Sequence, residues 1–299
     1  MDKDLQKEAA IREKNRAARV AFPDGAKAPR LGQGTWHLGE RPSRRDSEIE
    51  ALRLGVRLGM TLIDTAEMYG EGRAESLVGE AIRGIGRNGL FLVSKVYPHN
   101  AGRKNIFESC ENSLRRLGTD FLDLYLLHWR GNIPLAETVT CMEELVSRGL
   151  IRRWGVSNFD TADMEELWRI PGGSRCAANQ VLYHLGSRGV EYDLLPWMRK
   201  HRVPMMAYCP IAQGGSLRRG LFENPAVRRV AAAHGATPAQ VLLGFVMRGG
   251  DVIAIPKAGT PRHTLENAGA GLLALTDADL AALSAAYPAP AHKTALDMR

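Results

Sequence analysis

Leu90-Phe91-Leu92-Val93-Ser94-Lys95 is an apolar run of strand length that ends on a lysine, and Phe121-Leu122-Asp123-Leu124-Tyr125-Leu126-Leu127-His128 is a second run that ends on a histidine. A helical pattern over Ile106–Leu117 separates the two runs. A strand, a helix and a second strand in this order indicate a parallel pair joined by a right-handed crossover. We therefore expect an α/β fold with Lys95 and His128 at the same edge of its sheet.

The same alternation continues along most of the chain. Strands are expected at Arg30–Gly34, Thr61–Asp64, Leu90–Lys95, Phe121–His128, Arg153–Ser157, Ala177–Gln180, Pro204–Tyr208 and Val252–Pro256. Helices are expected at Ser47–Leu58, Ala74–Ile85, Ile106–Leu117, Leu135–Arg148, Thr161–Arg169, Asp193–His201, Pro225–His234 and Asp277–Ala286. About eight such units fit a single (β/α)8 TIM barrel, whereas an open doubly wound sheet usually has fewer strands and a nucleotide-binding turn after its first strand.

One large domain is expected. Residues 1–18 are polar and predict a frayed or loosely helical N-terminal tail, and no linker divides residues 19–299, which are predicted to form the barrel domain. Pro23-Asp24-Gly25 is a turn sequence, so an N-terminal β-hairpin is expected around it, from Arg19 to Leu31. Gly84-Ile85-Gly86-Arg87-Asn88-Gly89 has dinucleotide-binding spacing. It follows a helix and precedes a strand, however, so a plain turn is predicted.

The composition favours a cytoplasmic enzyme. The net charge of +7 comes from basic residues that are spread out without a recognisable nucleic-acid module, so no nucleic-acid partner is expected. No apolar run approaches the roughly 18 to 20 residues of a membrane span, and no secretory signal is visible. The four cysteines, Cys110, Cys141, Cys176 and Cys209, lack metal or redox spacing and are expected to be buried thiols.

Four residues near the expected strand ends form a candidate proton-transfer site. Asp64 is the first residue of the segment Asp64-Thr65-Ala66-Glu67-Met68-Tyr69-Gly70, and Tyr69 is its last but one. Lys95 and His128 are the last residues of the next two expected strands. The C-terminal ends of barrel strands face one common mouth. The Lys95 ammonium is expected to lower the pKa of the Tyr69 phenol, which is ordinarily about 10. Asp64 would pair with that ammonium, and His128 would orient a carbonyl oxygen.

Several longer motifs carry a resemblance that covers the chain from about Arg19 to Tyr287. The chain resembles the aldo-keto reductase superfamily, in particular its prokaryotic members. The motifs that carry the resemblance are Asp64–Gly70 with Glu75 and Val78-Gly79, Phe121–Trp129, Gly155-Val156-Ser157-Asn158-Phe159 and Ile255-Pro256-Lys257-Ala258-Gly259-Thr260. The resemblance implies an eight-stranded barrel that reduces aldehydes and ketones with NADPH and without a metal.

The resemblance also implies roles for individual residues. The catalytic residues would be Tyr69 as the acid, Lys95 and Asp64 as the groups that tune it, and His128. Ser157, Asn158 and Gln180 match the positions that hold the nicotinamide carboxamide, and Tyr208 the aromatic on which the ring stacks. The full set of expected cofactor contacts is Gly34, Thr35, Asp64, Ser157, Asn158, Gln180, Tyr208, Cys209, Pro210, Ile211, Ala212, Gly214, Ile255, Pro256, Lys257, Thr260, Arg262, His263, Glu266 and Asn267. Expected substrate contacts are Trp36, Tyr69, Tyr97, His128 and Trp129.

Three positions depart from the family pattern. Cys209 stands where serine is common, Ala258 where many members have serine, and His263 where arginine is usual. Arg262 lies one residue earlier, which on a helix rotates its side chain by about 100°. Lys257 and Arg262 as a cationic pair favour NADPH, with NADH as the alternative.

The sequence leaves two alternatives to carbonyl reduction open. Short segments after His128 and after Tyr287 predict an open pocket for a small carbonyl substrate, by analogy with prokaryotic reductases of dicarbonyls or sugar-derived ketones. A nicotinamide-binding regulatory subunit with little turnover is one alternative, and an aldolase-type enzyme that forms a Schiff base on Lys95 is another. A monomer is expected.

Overall fold

Eight short parallel strands follow one another in chain order around a barrel in the computed structural model, which describes residues 3–298. The barrel strands are β3 (Gln33–Gly34), β4 (Leu62–Asp64), β5 (Phe91–Val96), β6 (Leu124–Leu127), β7 (Trp154–Ser157), β8 (Asn179–Leu182), β9 (Met205–Tyr208) and β10 (Val252–Ala254). The last strand returns to the first through hydrogen bonds from the Gly32 amide to the Ala254 carbonyl, 2.8 Å, and from the Gly34 amide to the Pro256 carbonyl, 3.1 Å. The predicted (β/α)8 barrel is therefore confirmed.

Helices surround the barrel. They are α1 (Lys3–Ala17), α2 (Arg45–Arg57), α3 (Arg73–Ile82), α4 (Ile106–Leu117), α5 (Leu135–Ser147), α6 (Thr161–Arg169), α7 (Leu194–Lys200), α8 (Gly215–Glu223), α9 (Pro225–Ala233), α10 (Pro238–Met247), α11 (Pro261–Ala268) and α12 (Asp277–Ala286). Within residues 3–298 no single helix is long and apolar enough to cross a membrane. Only when taken together are α9 and α10, which are bent by 92° relative to each other, long and apolar enough by length and composition.

A β-hairpin closes the N-terminal end of the barrel. Its strands, β1 (Arg19–Ala21) and β2 (Lys27–Pro29), pair antiparallel around the turn predicted from the sequence. The Phe22 ring stacks on Phe91 at 5.3 Å between ring centroids, and Phe91 is the first residue of β5. Because this end is plugged by apolar side chains, a ligand can enter the barrel only from the C-terminal ends of the strands.

The period-two alternation of the strands decides which side chains reach that open end. Leu62, Val93 and Leu126 are buried in the cluster that fills the barrel interior. Side chains two residues apart in a strand point the same way. The residues two positions further on, Asp64, Lys95 and His128, therefore also point inward, one layer closer to the mouth.

Four helices differ from the list expected from the sequence: α1, which is longer and better anchored than expected, and α8, α10 and α11, which the list did not contain. The segment expected as a frayed or loosely helical tail contains the 15-residue helix α1, whose Asn15 side chain donates to the Leu58 carbonyl, 3.0 Å, and the Ala268 carbonyl, 3.1 Å. The helix that returns the chain to β10 is α10, which was not predicted from the sequence. Its start carries a legible signal, a capping box in which Thr237 and Gln240 bond each other's backbone amides.

Candidate active site

Lys95 is the centre of the candidate site. Its side chain is completely buried, and its ammonium donates to Asp64 Oδ2 at 2.7 Å, to the Thr65 carbonyl at 2.8 Å and to the Tyr69 hydroxyl oxygen at 3.1 Å. An ammonium has three donors, so all of them are used. Because Tyr69 accepts this bond, its own hydroxyl proton remains available to another acceptor in the cavity.

Burial governs the ionisation of this cluster. It raises the pKa of Asp64 and lowers that of Lys95, and in both cases the attraction between the two groups opposes it. Burial also raises the pKa of Tyr69 well above its ordinary value, and the Asp64 carboxylate raises it further. The expectation that Lys95 lowers this pKa is therefore wrong for the protein alone, because the carboxylate offsets the charge of the ammonium and the phenol has lost its water.

His128 is a neutral group beside the phenol. It follows β6, its ring lies edge-on to the Tyr69 ring with centroids 5.7 Å apart, and its side chain is 9% exposed. Burial and the nearby Lys95 charge lower its pKa to about 2. Its Nδ1 atom is buried and has no hydrogen-bond partner among residues 3–298. A neutral imidazole with an unused nitrogen can bond a polar ligand atom without adding charge.

Four amide and hydroxyl side chains extend the site across β7, β8 and β9. Gln180 donates from Nε2 to Asp64 Oδ1 at 2.7 Å, and Ser157 donates to the Gln180 carbonyl at 2.8 Å. Asn158 donates to the His128 carbonyl at 3.1 Å and accepts from the Tyr208 hydroxyl at 2.9 Å. The side-chain oxygen of Gln180 is left without a protein donor in the described part of the chain, so it can accept from an amide ligand.

A cavity of about 910 Å³ opens above these residues. It is lined by eighteen of the twenty residues expected to contact a cofactor; the exceptions are Gly214 and Arg262. Gly214 lies beside a neighbouring cavity instead. Arg262 points outward and bonds His263, while His263 itself lines the cavity, as the 100° rotation between adjacent helix positions requires.

Strained backbone is concentrated at this cavity. Six non-glycine residues between 3 and 298 have a positive φ, and four of them, His37, Asn158, Cys209 and Ala212, line the cavity. Such conformations cost about 1–3 kcal/mol each and persist where the surroundings enforce them, typically at binding sites. The strain therefore marks the same cavity independently of the motifs.

Four of the five predicted substrate residues line the cavity: Trp36, Tyr69, His128 and Trp129. Tyr97 does not line the cavity. Its ring packs edge-on against the ring of Trp129, with the two centroids 5.9 Å apart. The C-terminal segment contributes Met298 to the lining, which the expectation of an open pocket did not include.

The lining also contains two arginines that were not predicted from the sequence, Arg44 and Arg218. Arg44 ends a short 3-10 turn before α2, and Arg218 lies on α8, which begins at Gly215 and gave no helical signal. Neither residue stands at a strand end, so no pattern in the chain indicated it. Of the cysteines, Cys110, Cys141 and Cys176 are buried thiols as expected, whereas Cys209 is half-buried at the cavity.

A (β/α)8 barrel with a buried ammonium, a phenol and an imidazole at its mouth has the groups for proton transfer to a bound ligand. The chain belongs to the aldo/keto reductase family, whose family model matches residues 30–288. The family, the fold and the class of enzyme predicted from the sequence are thereby confirmed. Among residues 3–298 there is no group of three or more His, Cys, Asp or Glu side chains able to hold a metal ion.

Similar proteins share most of the chain. The methylglyoxal reductase YeaE of Escherichia coli is 57% identical over 279 residues, which span 93% of this chain and 98% of that protein. The crystal structure of an aldo/keto reductase from Klebsiella pneumoniae in complex with NADP and acetate has a TM-score of 0.92 and 55% identity, covering 94% of this chain and 99% of that one. A glyoxal reductase of Bacillus subtilis is 31% identical over 83% of this chain and 85% of its own length.

Proposed function

We propose that this protein reduces small aldehydes and ketones to alcohols with NADPH, and that Tyr69 supplies the proton. One observation carries the proposal: Lys95 donates to the Tyr69 oxygen at 3.1 Å while Asp64 neutralises the same ammonium at 2.7 Å. A carbonyl compound, NADPH and one proton are converted into an alcohol and NADP⁺. Bound NADPH supplies the hydride, which passes from nicotinamide C4 to the carbonyl carbon.

Tyr69 acts as a neutral acid. Its raised pKa keeps the phenol protonated at neutral pH, so the proton leaves only when a stronger base, the alkoxide formed from the carbonyl, develops beside it. The phenolate left behind accepts the hydrogen bond that Lys95 already donates, which stabilises the charge as it forms. Tyr69 regains a proton from solvent before the next turnover.

His128 orients the substrate. Because its pKa is about 2, the imidazole stays neutral, and a ring N–H can hold the carbonyl oxygen next to the Tyr69 hydroxyl without competing as an acid. Trp36 and Trp129 flank this position and offer apolar surface to the rest of the substrate. His128 is thus assigned the positioning of the carbonyl, and the proton transfer belongs to Tyr69.

The residues of the cavity fit NADPH. Ser157, Asn158 and Gln180 offer neutral donors and acceptors to a carboxamide, and the Tyr208 ring at the cavity wall offers a face for the nicotinamide. A volume of about 910 Å³ is in the range of ligand sites. The NADP complex of the Klebsiella relative supports the same cofactor for this chain.

The relatives named methylglyoxal reductase and glyoxal reductase support α-dicarbonyls as the substrate class. A Schiff base on Lys95, in contrast, requires an accessible neutral amine. Lys95 is completely buried and its three donors are all bonded, so an aldolase-type reaction is disfavoured.

A cofactor and substrate screen tests the proposal. NADPH and NADH are each incubated with the protein and methylglyoxal, aromatic aldehydes, sugars or steroid ketones, and the alcohol product is identified. The expected result is NADPH oxidation matched one to one by alcohol, fastest with the small dicarbonyl. Tight NADPH binding without turnover on any carbonyl would support a regulatory subunit instead and refute the proposal.

A further inference from the structure

Three cationic side chains line the cavity without a counterion. Lys257 follows β10, Arg44 precedes α2 and Arg218 lies on α8. Within residues 3–298 none of the three has a carboxylate within ion-pair distance. The next residue, Arg45, is by contrast paired with Glu80. Three unpaired cations around one cavity repel each other, so they are best explained by an anionic ligand that neutralises them.

The three cations belong to one part of the cavity. A hydrogen bond of 3.2 Å from Ser47 to the Gly259 carbonyl holds the start of α2 against the loop that carries Lys257. Burial lowers the pKa of Lys257, and Arg218 and Arg44 lower it further, against the opposing effects of Glu48 and Glu40. Both guanidinium groups therefore lie within electrostatic reach of the Lys257 ammonium, although they come from segments far apart in the chain.

The helix after β10 contributes no lysine or arginine to the lining. His263 lines the cavity, and its Nε2 atom lies 3.1 Å from a nitrogen of Arg262, which does not line it. Besides Lys257, the lysine and arginine residues of the described lining are therefore Arg44 and Arg218.

We propose that Arg44 and Arg218, together with Lys257, bind the 2′-phosphate of NADPH and thereby select it over NADH. The inference rests on the proposed cofactor. A phosphate monoester carries about −1.5 to −2 charges at pH 7, which three cations can neutralise. Guanidinium groups match phosphate oxygens with paired hydrogen bonds, a geometry that a lysine lacks. The pyrophosphate is common to both cofactors, so a role there would not discriminate between them.

The experiment uses two probes that differ only by the phosphate in question. Calorimetric titration of the full-length protein measures the affinity for adenosine 2′,5′-bisphosphate and for adenosine 5′-monophosphate. The variants are Arg44→Ala and Arg218→Ala. The matched controls are Arg41→Ala and Arg219→Ala, which remove exposed arginines of the same segments that do not line the cavity.

The expected result is a selective loss. Each of Arg44→Ala and Arg218→Ala weakens bisphosphate binding about tenfold or more, as for one charge-assisted phosphate contact, and leaves monophosphate binding nearly unchanged. Arg218→Lys retains part of the affinity because the charge remains. The two control variants bind both probes as the parent protein does. The bisphosphate affinity of the parent falls with added salt, and less steeply in the two variants.

Two outcomes would overturn the proposal. Equal losses for both probes would place the arginines at the 5′-phosphate, and unchanged affinities would leave Lys257 as the only phosphate ligand. These outcomes are independent of turnover. If the protein discriminates between the probes as expected but reduces no carbonyl, the phosphate site stands and the proposed reaction fails.

Discussion

Replacing Asp64 by asparagine will destabilise the protein strongly and in a pH-dependent way. The Lys95–Asp64 pair is 0% and 3% exposed, so the variant leaves a buried ammonium without its counterion. Breaking a buried pair by removing one partner costs about 3–5 kcal/mol. At about 2 °C per kcal/mol for a chain of this size, the Tm should fall by roughly 6–10 °C.

The pH dependence follows from Lys95. Without the Asp64 carboxylate, burial lowers the pKa of Lys95 against the remaining effect of Glu75 only, so this pKa lies further below the unfolded value of about 10.4. Between these two values the unfolded chain binds more protons than the native one, so the stability of Asp64→Asn rises with pH, by up to about 1.4 kcal/mol per pH unit. The stability that the variant has lost is therefore regained progressively as the pH increases.

Urea unfolding at several values between about pH 6 and pH 9 measures this effect through the free energy of unfolding. Asp251→Asn is the control, because the pair Arg199–Asp251 is 49% and 35% exposed and should contribute at most about 1 kcal/mol. The double variant Asp64→Asn/Lys95→Met removes both charges and should recover most of the loss. A loss for Asp64→Asn no larger than that of the control, with no pH slope, would refute the reasoning.

Three further predictions concern catalysis and the barrel. Initial rates of carbonyl reduction should show no inflection from His128 between about pH 5 and pH 8, because its pKa is about 2; an inflection that vanishes in His128→Gln would disprove this. Asn15→Ala leaves two buried carbonyls without a donor and should lower the free energy of unfolding by about 2–3 kcal/mol, whereas Asn112→Ala, which lies at the surface of α4, should change it by less than about 0.5 kcal/mol. Gly34→Ala places a methyl group 2.7 Å from the carbonyl oxygen just after β10 and should cost about 1–3 kcal/mol in urea unfolding, unlike Gly86→Ala, which meets no atom within 4 Å.

The sequence predicted the parts of the site that follow from strand periodicity. Each of Asp64, Lys95 and His128 follows an apolar run of strand length and points to the inside of the barrel. The pattern of an apolar run ending in a polar residue therefore predicted all three positions. The family motifs then indicated Tyr69 and Asn158, which lie in loops. Strand periodicity and long motifs depend only on residues close together in the chain, so they can be recognised in a single sequence.

Contacts between distant segments could not be predicted in this way. Arg44 and Arg218 reach the cavity from a turn and from a helix that starts at Gly215, and only the closed barrel brings them near Lys257. The direction of the Tyr69 pKa shift was also missed. It depends on how burial, Asp64 and Lys95 balance in three dimensions, which the order of residues does not encode.

The role of Tyr69 as the proton donor is tested most directly by a single-turnover measurement. The protein, preloaded with NADPH, is mixed with methylglyoxal and the loss of NADPH absorbance is followed for the parent, Tyr69→Phe and the control Tyr97→Phe. We predict that Tyr69→Phe slows the reaction by about 10²- to 10⁴-fold and binds NADPH as before, and that Tyr97→Phe behaves like the parent. A Tyr69→Phe rate within a few-fold of the parent would contradict the account.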